Sequence, residues 1–298
     1  MSETSTRTPF PATTAPAARS IRGRIGPDAS SGYYAAPHRY QLFLSLSCPR
    51  CLRIAVTHSL LRLEDTVTLT LLPGLPDADG GYASLRPAYE STWHGHTGPA
   101  TVPVLSDRWT GRIVSNHAPD IMRDLALRFR GTGGPELFPP SAEGEIGALI
   151  RLVDEDVTEA ARRAGEGACE EGSQGGGPVE TLLAALDGVE DRLAARPFLL
   201  GETLTAADVQ LWVALLELDT VHRWHLGADV VLRIAAYPGL WAYARRLRDE
   251  PAFHGHLNVA GITRRHHHQC RGQEVAGGAV QIIDWTPQEL CTPVSPHH

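Results

Sequence analysis

The sequence predicts an α/β domain followed by an all-helical domain. Two observations carry that reading. Between about residue 40 and residue 129, short apolar runs and one amphipathic stretch follow in the order β–α–β, then β–β–α. After about residue 140, apolar residues recur at helical spacing to near residue 268. At 298 residues, 42% hydrophobic and 20% charged, the chain has the length for two ordinary domains and the composition of a globular protein.

Residues 1–38, rich in Ser, Thr, Pro and Ala, read as an extension without a core of its own. The first domain is expected over 39–135. "YQLFLS" (40–45) reads as a buried strand ending just before two cysteines. Residues 51–63 then place Leu52, Ala55, Val56, Leu60 and Leu61 at helical spacing. "VTLTLL" (67–72) is a second strand, and β–α–β implies a parallel pair with a right-handed crossover. "ATVPVLSD" (100–107) and "GRIVS" (111–115) are two short strands about the turn Asp107–Gly111. "PDIMRDLALRF" (119–129) reads as a helix. This order is that of a thioredoxin-like domain.

The helical domain is expected over 140–268. Ile146, Leu149, Ile150, Val153 and Val157 share one helical face, as do Leu182, Leu186, Val189 and Leu193. Between them lies a Gly-rich loop, 164–178. "LTAADVQLWVALLEL" opens with Thr205 and has Asp208 three residues on, a capping-box variant that satisfies orphan amides at a helix start. "YPGLWAYARRL" begins a further helix with Pro238 in its first turn, where a missing amide costs nothing. The tail, 269–298, reads as irregular.

Composition excludes several functions. The net charge is −7 with no basic block, so nucleic acid is not an expected partner. No apolar run approaches the roughly 18 residues of a spanning helix, and no membrane partner is expected. The polar N-terminus lacks an apolar signal region, so the expected location is cytoplasmic. All 27 basic residues are arginine, which rules out a lysine Schiff base and a P-loop lysine. Five scattered cysteines (48, 51, 169, 270, 291) do not read as a disulfide framework.

"SLSCPRCLRIA" (45–55) holds the candidate chemistry. A strand that delivers Cys48 to a helix start exposes its sulfur to unpaired amides and to the positive end of the helix dipole. Both favour thiolate, and Pro49 suits the first turn. Cys51 lies one turn further on nearly the same face. The alternatives are two ordinary buried cysteines, or half of a zinc site completed by one of the histidine clusters at 94–96, 254–256 or 266–268. None of these has the spacing of a finger or ribbon, and no metal is expected. Val102-Pro103, opening a strand after such a first half, is where a thioredoxin-like domain keeps a cis proline. A cis bond would turn the Val102 backbone toward Cys48. The alternative is a trans proline on an edge strand.

With these residues in view, the chain resembles the glutathione transferases, and more narrowly their Xi class, the glutathionyl-hydroquinone reductases. "RYQLFLSLSCPRCLR" resembles that class's strand and C-P-W-A motif. "TVPVLSDRWTGRIVSNHAPDIMR" resembles its T-V-P-V-L-W-D…I-V-x-N-E-S segment, and "FLLGETLTAADVQLW" its F-L-x-G-D-x-L-T-x-A-D-V-x-L-F. "YPGLWAYARRL" and "LNVAGITRRHHH" fall where the class has Y-P-N-L-W-x-Y and an I-K-R-H-Y-Y-like ending. The resemblance implies a thioredoxin-like domain joined to a helical glutathione-transferase C-terminal domain, with the site in the cleft between them and a homodimer in solution. It makes Cys48 a nucleophile on sulfur: Cys48 attacks the thioether of a thiol conjugate, and a second small thiol releases the mixed disulfide. Val102, Pro103, Ser115, Asn116 and His117 then fall on the thiol-binding side.

The departures from the class are specific. Arg50 stands for the motif tryptophan, where it either lowers the Cys48 pKa and holds an anionic group or is simply solvated. Cys51 replaces an alanine and is placed to resolve the mixed disulfide, as in dithiol glutaredoxins. The Glu-Ser pair that grips the γ-glutamyl end of glutathione falls at His117-Ala118. Acceptor-site tyrosines fall at His222, His266 and His267, which would act as acid–base groups on a phenolic substrate; surface histidines or a fortuitous metal site are the alternatives. "TEAARRAG" (158–165) lacks a further tyrosine and lysine. The expected cofactor is therefore a low-molecular-weight thiol, glutathione or mycothiol. Mycothiol follows from the lost carboxylate together with an arginine bias typical of GC-rich, actinobacterium-like genomes. The expected substrate is an electrophilic or thiol-conjugated metabolite. The competing reading is a non-catalytic binding module on the same fold.

Overall fold

A computed structural model describes residues 20–129, 134–166, 177–270 and 281–286. The first domain builds β1 (Tyr40–Leu44), α1 (Pro49–Leu60), β2 (Thr68–Leu71), α2 (Arg86–Thr92), β3 (Val104–Asp107), β4 (Arg112–Ser115) and α3 (Ala118–Arg128). The sheet runs β2-β1-β3-β4, with β1 and β2 parallel and the other pairs antiparallel. Every strand and helix expected in this domain is present. The sequence reading did not predict α2. That helix is short, has Pro at its second position, and is tied down through Tyr89, whose buried hydroxyl donates to the Thr101 carbonyl at 2.9 Å. It supplies the second helix that the thioredoxin-like order requires between β2 and β3.

The segment before β1 has no core of its own and borrows one. Ile25 is buried, its amide donates to Asp124 at 2.8 Å, and Arg22 and Arg24 pair with Asp120 and Asp124 on α3. Residues 1–19 lie outside the described residues.

The helical domain comprises α4 (Glu143–Leu152), α5 (Ala160–Glu166), α6 (Pro178–Ala194), α7 (Ala206–Thr220), α8 (Ala228–Ala235), α9 (Pro238–Arg248), α10 (Pro251–His254) and α11 (Val259–Cys270). The single helical face read across 146–157 is correct in spacing but not one uniform helix. α4 passes into a π-helical stretch, Val153–Glu159, before α5 resumes the α pitch. Helix α7 is buried on nearly all sides, as the central member of the bundle must be. Its capping box forms as expected: Asp208 accepts from the Thr205 amide at 2.8 Å and from the Thr205 hydroxyl at 2.9 Å. The other Asp208 oxygen accepts from the Leu199 amide at 2.9 Å and the Tyr243 hydroxyl at 3.0 Å.

The last helix runs through Cys270, two residues past the expected boundary of 268. The stretch 281–286 is irregular, as expected, but it is packed rather than loose. Trp285 meets Trp212 edge-on at 5.8 Å, and its indole donates to Asp219 at 2.9 Å. The core of the Gly-rich loop (167–176), Cys169 and Cys291 lie outside the described residues. Among the described residues no helix is long and apolar enough to cross a membrane.

Candidate active site

β1 ends at Leu44 and the chain turns through Ser45–Ser47 into α1. The Cys48 amide donates to the Ser45 carbonyl at 2.9 Å, and the Cys48 carbonyl accepts from the Leu52 amide at 2.9 Å, opening the helix. Cys48 is therefore the N-cap, in extended conformation (φ −102°, ψ 121°), with Pro49 in the first turn. The Val102-Pro103 bond is cis. β3 starts one residue later with Val104 opposite Phe43, which sets Val102 and Pro103 beside the end of β1 from which Cys48 emerges.

The electrostatics separate the two thiols. The Cys51 thiol donates to Cys48 and lowers its pKa well below the ordinary thiol range. Burial opposes this, while Arg50, Arg265 and the Cys51 amide reinforce it. Cys51 moves the other way: burial raises it, and the neighbouring Cys48 thiolate raises it further. The two shifts oppose one another, favouring thiolate at 48 and thiol at 51. One expectation needs correcting. Cys48 was expected to face the cleft between the domains, yet it is only 4% exposed. Helix α11 reaches back onto the first domain, where Arg265 acts on Cys48 electrostatically and its guanidinium donates to the Tyr82 hydroxyl at 3.2 Å.

Charged groups from three helices converge here. Arg53 of α1 lies 3.4 Å from Asp154 in the π-helical stretch and 3.7 Å from Glu217 of α7, joining the two domains. Glu217 is pushed up to about 7 by burial and by the negative charges of Cys48 and Asp154, with Arg53 and Arg50 pulling it down. A carboxyl that titrates near neutrality within electrostatic reach of a thiolate is equipped to give and take a proton. The sequence reading missed Glu217, Arg265 and Tyr82. A signal for Glu217 existed: Gln210 and Glu217 are polar, seven apart on one helix face, and the rest of 209–218 is apolar.

Among the residues expected to bind the thiol, the Ser115 hydroxyl accepts from the His117 amide at 3.1 Å. Asn116 is tied to the N-terminal segment: its side-chain oxygen accepts from the Ile21 amide at 2.8 Å, and its side-chain nitrogen donates to the Tyr89 hydroxyl at 3.2 Å. His117 caps α3 with its Nδ1 3.1 Å from Asp120. Asp120 is the nearest carboxylate in sequence, but Arg22 already grips both of its oxygens, at 2.7 and 3.0 Å. The surroundings of His117 thus present Arg22 and a carboxylate that is already paired.

The remaining candidates gather with one another. His222, in the 3-10 turn His222–Trp224, and His266 come together with His225, which the sequence reading did not select. His225 and His266 approach Nε2 to Nε2 at 2.9 Å. The His267 ring lies 5.8 Å from both Trp224 and His266. The groups that act on Cys48 are Cys51, Arg50 and Arg265 rather than these imidazoles.

Comparison with known proteins gives a consistent result. The family model for the glutathione S-transferase C-terminal domain matches residues 179–246. Glutathionyl-hydroquinone reductase PcpF of Sphingobium chlorophenolicum is 29% identical over 234 residues, covering 73% of this chain and 73% of that protein. Glutathionyl-hydroquinone reductase YqjG of Escherichia coli (strain K12) is 27% identical over 289 residues, covering 91% of this chain and 86% of that protein. Among solved structures, the Xi class transferase from Natrialba magadii matches with a TM-score of 0.74 at 25% identity, covering 86% of this chain and 83% of that one.

Proposed function

We propose, from the place of this chain in the glutathione transferase superfamily beside the Xi class, that it is a thiol-dependent reductase acting at the sulfur of a thiol conjugate. The observation that carries the reading is the asymmetry of the cysteine pair: a helix-capping Cys48 held as thiolate by the Cys51 thiol, Arg50 and Arg265. A non-catalytic module would have no use for a depressed thiol pKa at the junction of two domains.

The Cys48 thiolate attacks the thioether sulfur of an aryl conjugate. A sulfur–sulfur bond forms, the carbon–sulfur bond breaks, and the electron pair stays on the ring carbon, which takes a proton to give the hydroquinone. Glu217, titrating at about 7 beside this centre, supplies that proton. A second small thiol then attacks the outer sulfur of the mixed disulfide and returns Cys48 as thiolate, so one free thiol is consumed per conjugate and the two small thiols leave as a disulfide. If Cys51 attacks instead, the small thiol leaves and the resulting Cys48–Cys51 disulfide is reduced by two further small thiols. Val102 and Pro103 offer backbone to the peptide-like part of the thiol, with Arg50, Ser115, Asn116 and His117 at its margins. Arg22 and His117 at the far end disfavour the ammonium of glutathione, and Asp120 is already occupied. This favours a thiol without that ammonium, such as mycothiol. Cytoplasmic location and a homodimer belong to the same reading.

The direct test is a thiol panel (glutathione, mycothiol, neither) against quinone conjugates of each, with Cys48→Ser and Cys51→Ser beside the wild type. Cys48→Ser should lose turnover. If Cys51 resolves the intermediate, Cys51→Ser accumulates a mixed disulfide visible by intact mass; normal turnover of that variant would assign release to the second small thiol. Submicromolar glutathione binding by calorimetry would reject the mycothiol preference. Wild-type turnover by Cys48→Ser would reject the mechanism.

A further inference from the structure

We propose that His225, His266 and Cys270 form a binding site for a zinc-class divalent cation, one that uses none of the groups around Cys48. All three residues are buried, and their donor atoms lie within 4.8 Å of one another. His266 and Cys270 are four apart on α11, the spacing that aims two side chains of one helix face at a common point. His225 enters from the short segment that follows the turn His222–Trp224, so the site joins the last helix to the end of α7. Two imidazoles and a thiolate are a donor set suited to zinc, or to cobalt(II) in its place. Tetrahedral bonding sets such donors about 3.3 to 3.6 Å apart, from bond lengths of about 2.0–2.1 Å to nitrogen and about 2.3 Å to sulfur. The donor atoms bracket that spacing, from 2.9 Å between the two Nε2 atoms to within 4.8 Å over the whole set, so the side chains must adjust as the ion binds.

Two further features point to the same place. His222 Nε2 is buried without a hydrogen-bond partner. Its ring is close enough to His225 and His266 to interact with both, so it is placed as a candidate fourth ligand. The cluster is also held from outside. Gly165 of α5 packs so closely that a Cβ there would lie 2.7 Å from the His225 Cβ, which fixes the His225 backbone against that helix.

Without metal, one ring of the His225–His266 pair must carry the Nε2 proton and the other must accept it. The cation takes the place of that shared proton. The imidazoles bind through lone pairs in neutral form, Cys270 releases its thiol proton to solvent, and no electron is transferred. The consequence for the fold is a clamp on α11. That helix carries Arg265, adjacent to the ligand His266, to the Tyr82 hydroxyl and the neighbourhood of Cys48.

The test is cobalt(II) and zinc titration of the metal-free full-length protein. Cobalt should give the intense visible bands of a tetrahedral site and a thiolate charge-transfer band in the near ultraviolet, saturating at a single equivalent. Cys270→Ser should remove the charge-transfer band, and the Cys48→Ser/Cys51→Ala double variant should keep it. Zinc should raise the melting temperature of the wild type and displace cobalt, while His225→Gln should lose most of that rise. A wild type that takes up no cobalt at micromolar concentration overturns the proposal whatever the variants do. So does a charge-transfer band that follows Cys48 instead of Cys270, or only weak multi-site binding to surface histidines.

Discussion

Cys48 is subject to opposing influences, and their balance is what makes it reactive. Burial favours the neutral thiol, while the Cys51 hydrogen bond, Arg50 and Arg265 favour the thiolate and prevail. Alkylation of Cys48 should therefore stay fast as pH falls below the about 8.5 at which a free cysteine loses reactivity. Cys51→Ala removes the largest of the favourable influences, so its inflection should move back up; rates against pH read this directly. Glu217 gives a second prediction. Its carboxyl stays protonated in the fold up to about 7, whereas the unfolded chain ionises it near about 4.3. Between those values the folded state binds more protons, so stability falls as pH rises through the window. Glu217→Gln should abolish that slope and leave the variant more stable above pH 7, on the order of a few kcal/mol, with the difference vanishing toward pH 4. Urea unfolding across pH measures it.

At the scale of single elements, the sequence signs held wherever local chemistry decides the outcome. Thr205 and Asp208 form their capping box because its atoms are three residues apart and need no distant partner. What the sequence did not reveal is that the same carboxylate also satisfies the buried Leu199 amide and the Tyr243 hydroxyl. Asp208→Ala should accordingly cost more than a surface cap, about 3 kcal/mol or more, because it leaves buried donors unpaired. Asp208→Asn should cost less. Denaturant midpoints of the two variants check the order. The helix α2 escaped the reading because its seven residues bury little beyond Tyr89, too little for a periodic signal. The π-helical stretch escaped it because an i→i+5 segment leaves no mark in an apolar pattern.

At the scale of the whole molecule, the two domains are joined at the candidate site rather than away from it. Arg53 reaches from α1 to Asp154 and Glu217, and Arg265 reaches from α11 to Tyr82. The tail is part of this assembly. Residues 281–286 anchor on α7 through Asp219, which accepts the Ile282 amide at 2.7 Å and the Trp285 indole at 2.9 Å. Trp285→Ala should lower stability by about 3–5 kcal/mol, as for any large buried aromatic. A melting temperature within a degree or two of wild type would contradict the packed position of this segment.

Strand and helix periodicity, the cap at Thr205, the Cys-Pro step at a helix start and the Val-Pro step at a strand start were all readable from the chain. Each depends on neighbours within a few residues, where covalent geometry limits the choices. The identity of the charges around Cys48, the proton-active Glu217 and the meeting of His225, His266 and Cys270 depended on helices brought together from as far as two hundred residues away. Burial and Coulomb interaction act through space, so they are settled only once packing has chosen which side chains lose water together.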